Sequence, residues 1–178
     1  MRLLDAMGQC ETIILSSLES RRQLNSLGEV KLTVGITDQH LREVYSDPYI
    51  TGIAADGRAL NPIAHPLATY LSAWIDNRFV GAFLSIRYTE HEIESHALLS
   101  KSALKHSRKL GDMFLSWAFQ QDVMRVTAHV YEYLKSAKNY CLKLGFKEEG
   151  FRRCAAVKDG KAVGVYMLGI TRQEWRLT

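Results

Sequence analysis

Residues 92–121 read EIESHALLSKSALKHSRKLGDMFLSWAFQQ, and their pattern is the most informative part of the chain about its architecture. Its opening residues predict a strand, and a basic segment that precedes a single glycine, Gly111, follows them. Four residues then recur at helical spacing, three of them apolar: Leu110, Phe114, Trp117 and Gln121. This spacing predicts an amphipathic helix that opens at Leu110. A strand, a basic loop and a helix N-terminus in this order form an anion site, because the first amides of the helix point at the anion.

The residues that follow repeat the alternation of strand and helix. Residues 123–131 alternate as a strand does, and residues 135–146 predict a helix closed by Gly145. Hairpins are predicted on both sides of this unit, each at two residues that tolerate the backbone of a tight turn. Their strands and turns are residues 68–75 and 78–88 around Asp76 and Asn77, and residues 151–157 and 162–170 around Asp159 and Gly160.

The N-terminal third carries weaker signals. Residues 1–28 predict a helical extension with Ile13, Ile14, Leu18 and Leu24 on its inner side. Residues 30–36 predict a strand, and Thr37 or Asp38 can cap a helix that Asp47 and Pro48 end. Residues 49–66 are predicted to be mostly loop, which is either a wall of a substrate site or a plain surface connection.

Composition excludes several classes of protein. The chain has 178 residues, 47% of them hydrophobic and 24% charged, which is typical of a soluble domain with a substantial core. No apolar run reaches the length of a membrane span, and three irregularly spaced cysteines, Cys10, Cys141 and Cys154, favour a reducing cytoplasm. A net charge of +4 suits an anionic ligand. Nucleic acid is disfavoured, because the basic residues are scattered without interleaved aromatic residues.

Three segments resemble the GCN5-related N-acetyltransferases (GNATs), especially the branch that acetylates protein N-termini: LKHSRKLGDMFLSWAF, SAKNYCLKLGFKEEGFRR and the closing ITRQEW. The resemblance covers roughly residues 68 to 175. It implies an α/β fold with a mixed, mostly antiparallel, twisted sheet of six to seven strands flanked by helices. We therefore expect a GNAT-like domain over residues 29–178 and an added helix over residues 1–28.

The resemblance also implies that acetyl-CoA is the co-substrate and that no metal is needed. In the family, the loop reads Gln or Arg, two residues, Gly, one residue, then Gly or Ala, and its amides hold the pyrophosphate. Gly111 matches the last position, His106 stands at the Gln or Arg position, and Lys109 replaces the middle glycine. The cofactor-binding residues so implied are Leu98, Leu99, Lys105, His106, Arg108, Lys109, Leu110 and Gly111.

Acyl transfer to an amine also requires a base. Glu92, Glu94, His96 and Leu98 share one face of the predicted strand. Glu94, with its pKa raised by partial burial, or His96 could remove a proton near neutral pH. Alternatively, the carboxylates face solvent and His96 is an ordinary histidine.

A proton donor for the departing thiolate is the third requirement. Many relatives place a tyrosine on the helix before LGF, a position held here by Cys141 with Tyr140 beside it. Cys141 can equally be a small apolar core residue. Leu134 stands where relatives carry an asparagine, and His129 and Tyr131 are alternative polar groups at the end of the preceding strand.

Two hypotheses follow from these residues. The first is a cytoplasmic acetyl-CoA-dependent N-acetyltransferase that acts on a primary amine, either a protein N-terminus or a small amine. The second is a catalytically inactive protein on the same scaffold, like the GNAT-like proteins encoded among head-assembly and virion genes of tailed phages, which would act through contacts with itself or with virion proteins. The fold alone does not decide between them, because function belongs to sites.

Overall fold

Seven strands form one sheet in the order β1-β2-β3-β4-β5-β7-β6, in a computed structural model that describes residues 29–54 and 62–176. The strands are β1 Val30–Val34, β2 Ala68–Ile75, β3 Arg78–Arg87, β4 Glu92–Leu99, β5 Arg125–Tyr131, β6 Lys147–Lys158 and β7 Lys161–Thr171. Neighbouring strands are antiparallel except β4 and β5, which are parallel. The predicted mixed, mostly antiparallel sheet is confirmed. The extension predicted for residues 1–28 lies outside the described residues.

The helices flank this sheet. They are α1 Asp38–Ser46, α2 Pro48–Ala54, α3 Ser107–Gln120, α4 Lys135–Lys143 and α5 Arg172–Trp175, and a 3-10 helix spans Lys101–His106. The predicted cap of α1 is confirmed, since the Thr37 hydroxyl oxygen accepts a hydrogen bond from the His40 amide at 3.2 Å. The predicted end of α4 is confirmed too, because Gly145 adopts a φ of +92° just past the helix.

Helix α2 occupies the first part of residues 49–66, which were predicted to be mostly loop, and residues 55–61 of that range lie outside the described residues. Asp47 precedes this helix, and its carboxylate accepts hydrogen bonds from the amides of Tyr49 at 2.8 Å and Ile50 at 3.1 Å. Pro48 occupies the first helical position, where its fixed φ and missing N–H are both tolerated. Asp47 and Pro48, which end α1 as predicted, therefore also begin a second helix.

Strand β6 is longer than the predicted residues 151–157. It pairs with β7 from Lys147 onward, but its register shifts twice, between Glu148 and Gly150 and between Arg152 and Ala156. Such bulges break the two-residue alternation on which a strand prediction depends. The β6–β7 turn at Asp159 and Gly160 and the β2–β3 turn at Asp76 and Asn77 were predicted correctly.

Two apolar clusters hold the layers together. The larger one joins the sheet to α3 and α4 and includes Leu110, Phe114 and Leu168, all nearly or fully buried. The smaller one, built on Val44, Ile50 and Ala82, seats α1 and α2 on the opposite face of the sheet. Helices therefore cover both faces of the sheet near β3 and β4. Among the described residues, no helix combines the length and apolarity needed to cross a bilayer.

Candidate active site

Strands β4 and β5 separate in the middle of the sheet. Their parallel register holds three residue pairs, from Glu92 and Arg125 to Glu94 and Thr127. At the point of separation, the Ser95 hydroxyl donates a hydrogen bond to the Thr127 carbonyl at 3.2 Å. Beyond this point the facing edges of the two strands are not paired with each other. Their backbone groups are therefore placed to bond a ligand that enters the gap.

A cavity of about 170 Å³ lies in this gap. Strands β4 and β5, helices α3 and α4, and Ile53 at the end of α2 contribute to its wall. Much of the lining is apolar and includes Phe83, Phe114, Leu115 and Phe146. An apolar cavity of about 150 Å³ can hold a benzene molecule, so this one suits a slim chain rather than a nucleotide.

The basic segment before α3 differs from the predicted loop. The 3-10 helix Lys101–His106 runs directly into α3, which begins at Ser107 and not at Leu110. The Ser107 amide bonds to the Leu104 carbonyl, and this bond joins the two helices. Lys105, Arg108 and Lys109 are exposed at this junction. The Ser107 amide is thus already bonded within the chain, and Arg108 and Lys109 supply the remaining first-turn amides of α3.

Leu110 and Gly111 therefore lie inside α3, and both are buried. An α-helix that begins at Ser107 uses their N–H groups for bonds to carbonyls one turn earlier. Leu110 is fully buried in the larger core cluster, and Leu99 is 8% exposed in the same cluster. Leu98 lines the cavity near the end of β4, and His106 is half-buried at the helix junction. Their predicted contacts with a cofactor stay predictions.

The side chain of Tyr140 on α4 contacts α3. Its hydroxyl donates a hydrogen bond to the Ser107 carbonyl at 3.0 Å. The pKa of this phenol is raised, mainly by burial and to a smaller extent by the nearby Cys141 and Asp112. The ring lies against Gly111, where an added Cβ would overlap the Tyr140 hydroxyl. This contact requires glycine at position 111 for close packing of two helices, independently of any phosphate.

Cys141 lies on the cavity wall as a buried residue. It is 8% exposed, and burial raises the pKa of its thiol to about 11. The thiol is therefore protonated at neutral pH. Both alternatives from the sequence, a proton donor and a small apolar residue, agree with this position.

Two imidazoles contact the carboxylate of Glu94. Its side chain is 7% exposed, and its Oε1 atom lies 3.1 Å from His96 Nε2 and 3.0 Å from His129 Nδ1. The parallel register explains the cluster: Glu94 lies opposite Thr127, so His129 follows two residues later on the same face as His96. On sequence grounds His129 was only an alternative polar group. The two-residue spacing of Thr127 and His129, which places them on one face of a strand, is visible in the sequence, but the register of β5 against β4 is not.

The predicted rise in the pKa of Glu94 is wrong. Burial alone would raise the pKa of this carboxyl, but hydrogen bonds from His96 and Tyr88, with the charges of His96 and His129, outweigh burial and lower the pKa to about 2. The carboxylate is thus ionised at neutral pH, and it is a weak proton acceptor there. The prediction that Glu94 faces solvent is wrong as well, because burial and these partners enclose it.

An ion-pair network fixes the strands next to the gap. The Arg125 guanidinium pairs with Glu149 of β6 through two nitrogens, and its Nε lies 3.3 Å from Glu92 Oε1 on β4. A guanidinium fork suits such bidentate pairing. The network connects three strands on the face that carries Glu94. Among the described residues, no group of three or more acidic, histidine or cysteine side chains is arranged to hold a metal ion.

Comparison with solved structures defines the class of fold. The chain superposes on spermidine N-acetyltransferase from Vibrio cholerae, solved in complex with CoA and spermine, with a TM-score of 0.68 and 15% identity over 82% of this chain and 98% of that one. It also superposes on a probable acetyltransferase of the GNAT family from Chromobacterium violaceum, with a TM-score of 0.70 and 15% identity over 84% and 91%. The chain therefore has the GNAT fold. No family model matches its sequence.

Proposed function

We propose that this protein transfers an acetyl group from acetyl-CoA to a primary amine. The observation that supports this function best is the open cavity between the splayed strands β4 and β5, which is lined by His96 and His129, the two partners of Glu94. The similarity in fold to a spermidine N-acetyltransferase that was solved with CoA and spermine supports the same chemistry. Either a small amine or a protein N-terminus is a suitable acceptor.

Residues at two places would hold the donor. The gap offers unpaired backbone edges from Leu98 and Leu99 on β4 and an apolar lining, which fit a slim thioester arm. The start of α3 offers the amides of Arg108 and Lys109 and three exposed cations, Lys105, Arg108 and Lys109, which fit the phosphate groups. The bound donor would supply an acyl group activated as a thioester.

The remaining chemistry falls to side chains on the cavity wall. An imidazole of the cluster would take the proton from the ammonium, because Glu94 itself is ionised and weakly basic. Cys141, a protonated thiol on the wall, would return a proton to the leaving thiolate. The Tyr140 hydroxyl already donates a hydrogen bond to the Ser107 carbonyl, so we assign Tyr140 a packing role and not a catalytic one.

A direct assay tests this function. Acetyl-CoA would be titrated into the protein by calorimetry, and thiol release would then be followed with a panel of polyamines, amino acids and short peptides with free N-termini. Saturable binding together with amine-dependent thiol release is expected. Absence of both at millimolar acetyl-CoA would contradict the proposal. It would favour the second hypothesis, a GNAT scaffold used for assembly in a virion or oligomer.

A further inference from the structure

We infer that His129 is the general base of this reaction, and that Glu94 fixes the imidazole in the tautomer that can accept a proton. This inference rests on the proposed function but adds a residue and a proton position to it. The inference is based on geometry. One oxygen of the buried Glu94 carboxylate lies within hydrogen-bonding distance of two imidazoles, through Nδ1 of His129 and Nε2 of His96.

The protonation of both rings follows from that arrangement. An ionised carboxylate can only accept hydrogen bonds, so each neutral imidazole must carry its hydrogen on the nitrogen that faces Glu94. His129 then has its hydrogen on Nδ1 and a lone pair on Nε2. His96 has its hydrogen on Nε2 and a lone pair on Nδ1. The two rings are thus opposite tautomers held by one anion.

The free nitrogens differ in their position on the ring. Nε2 of an imidazole lies at the tip of the ring, whereas Nδ1 lies beside the Cβ atom and the backbone. His129 therefore presents its lone pair at the end of its side chain, and His96 presents its lone pair close to β4. Both residues border the cavity. A carboxylate bonded to Nδ1 with Nε2 left as the base is also the arrangement of the hydrolase triads.

Nε2 of His129 takes one proton from the substrate ammonium, and the amine nitrogen that results forms a C–N bond to the acyl carbon. The C–S bond breaks with its electron pair on sulfur. The second nitrogen proton passes to that thiolate, directly or by way of the Cys141 thiol, and the imidazolium releases its proton to solvent. Glu94 stabilises the imidazolium while it is charged.

The tautomers can be determined by NMR without an activity assay. In the ¹⁵N-labelled protein, long-range ¹H–¹⁵N spectra distinguish a protonated from an unprotonated ring nitrogen. At a pH where the rings are neutral, we expect His129 to be protonated at Nδ1 and His96 at Nε2. E94Q should disturb both patterns, because an amide can donate as well as accept. A proton on Nε2 of His129 in the wild type would overturn the inference, whatever the activity.

Kinetics test the role of the base. His129→Ala should lower kcat/KM by about a hundredfold or more, and added imidazole should restore part of the rate. His96→Ala is the matched control: it removes the other ring on the same carboxylate and should cost less than tenfold without rescue. If His129→Ala fails to fold, His129→Asn retains an N–H near the position of Nδ1 and takes its place.

Failures of the two proposals remain distinguishable. If the wild type binds no acetyl-CoA and releases no thiol with any amine, the proposed function fails and the base assignment fails with it. If the wild type is active and His129→Ala, or His129→Asn, stays within a few-fold of it, only the base assignment fails. Equal losses in His96→Ala and His129→Ala, with no rescue of either, would likewise overturn the assignment.

Discussion

Tyr140 occupies the space that a side chain at Gly111 would need. A Cβ atom added to Gly111 would overlap the Tyr140 hydroxyl and approach Leu144 Cδ1 to 2.6 Å. We expect Gly111→Ala to lower the free energy of unfolding by up to about 2 kcal/mol. Overpacking costs about 1–3 kcal/mol, and the better helix propensity of alanine offsets about 1 kcal/mol of that. Urea unfolding measures the difference.

A double-mutant cycle separates this contact from the rest of the helix packing. Tyr140→Phe removes the hydroxyl and its bond to Ser107, which should cost about 1 kcal/mol by itself. In the Tyr140→Phe background, Gly111→Ala should cost less than in the wild type, because part of the overlap is gone. Strict additivity of the two changes would show that the hydroxyl is not the obstacle.

Local sequence patterns predicted much of the fold. The β2–β3 and β6–β7 turns, the Thr37 cap and the end of α4 at Gly145 depend on neighbouring residues, and each was predicted correctly. The errors occur where one residue has two roles or where two helices follow each other without a break. Helix α2 was missed because Pro48, which ends one helix, also begins another. The start of α3 was misplaced because a 3-10 helix feeds into Ser107.

The candidate site was predicted only in part because it is assembled by strand register. Sequence alternation placed Glu94 and His96 on one face, and the structure keeps them together. The second imidazole on this carboxylate, His129, comes from a parallel strand 35 residues further along the chain. A lone carboxylate on a strand predicts a raised pKa on burial, whereas hydrogen bonds from His96 and Tyr88, with the charges of His96 and His129, reverse the sign. No local pattern contains that pairing.

Acetyl-CoA should stabilise the folded protein. A ligand that binds only the folded state adds about 2.7 kcal/mol when present at a hundredfold over its Kd. We therefore expect a higher Tm in thermal melts at millimolar acetyl-CoA, and a smaller increase with CoA fragments that lack the phosphates. A Tm that does not respond to the cofactor would argue against donor binding in the gap.

The basic residues at the start of α3 should provide part of that affinity. Arg108→Ala with Lys109→Ala removes two exposed cations beside the first-turn amides, and the Kd of acetyl-CoA should rise about tenfold or more. The matched control is Lys31→Ala with Arg42→Ala, which removes two exposed cations elsewhere on β1 and α1. Calorimetry at fixed ionic strength compares them. Equal affinities in both double variants would mean that the phosphates bind elsewhere.

Tyr133 ties α2 to the loop after β5. Its hydroxyl donates a hydrogen bond at 3.2 Å to the carbonyl of Ile53, the residue of α2 that lines the cavity. Tyr133→Phe removes one bond of about 1 kcal/mol, so amide hydrogen exchange in residues 50–54 should accelerate about fivefold. Exchange in α1 should stay unchanged and serves as the internal control. Unchanged exchange in α2 would show that other contacts hold this wall.

Glu94 should make the stability of the protein depend on acidic pH. Its pKa is lowered from 4.5 to about 2 in the fold, so the unfolded chain takes up this proton first as the pH falls. The stabilisation is fully present above about pH 5 and is lost as the pH falls through the folded-state value. A shift of this size corresponds to a contribution on the order of 3 kcal/mol for a side chain this well buried.

Glu94→Gln should therefore be less stable than the wild type at pH 6 by a few kcal/mol, and the difference should shrink steadily between pH 5 and pH 2. Urea unfolding of both proteins across this range measures it. Glu43→Gln on the exposed side of α1 controls for the loss of a carboxylate as such. A difference that stays constant with pH would mean that Glu94→Gln acts through packing alone. The two imidazoles would then not hold the carboxylate in its ionised form.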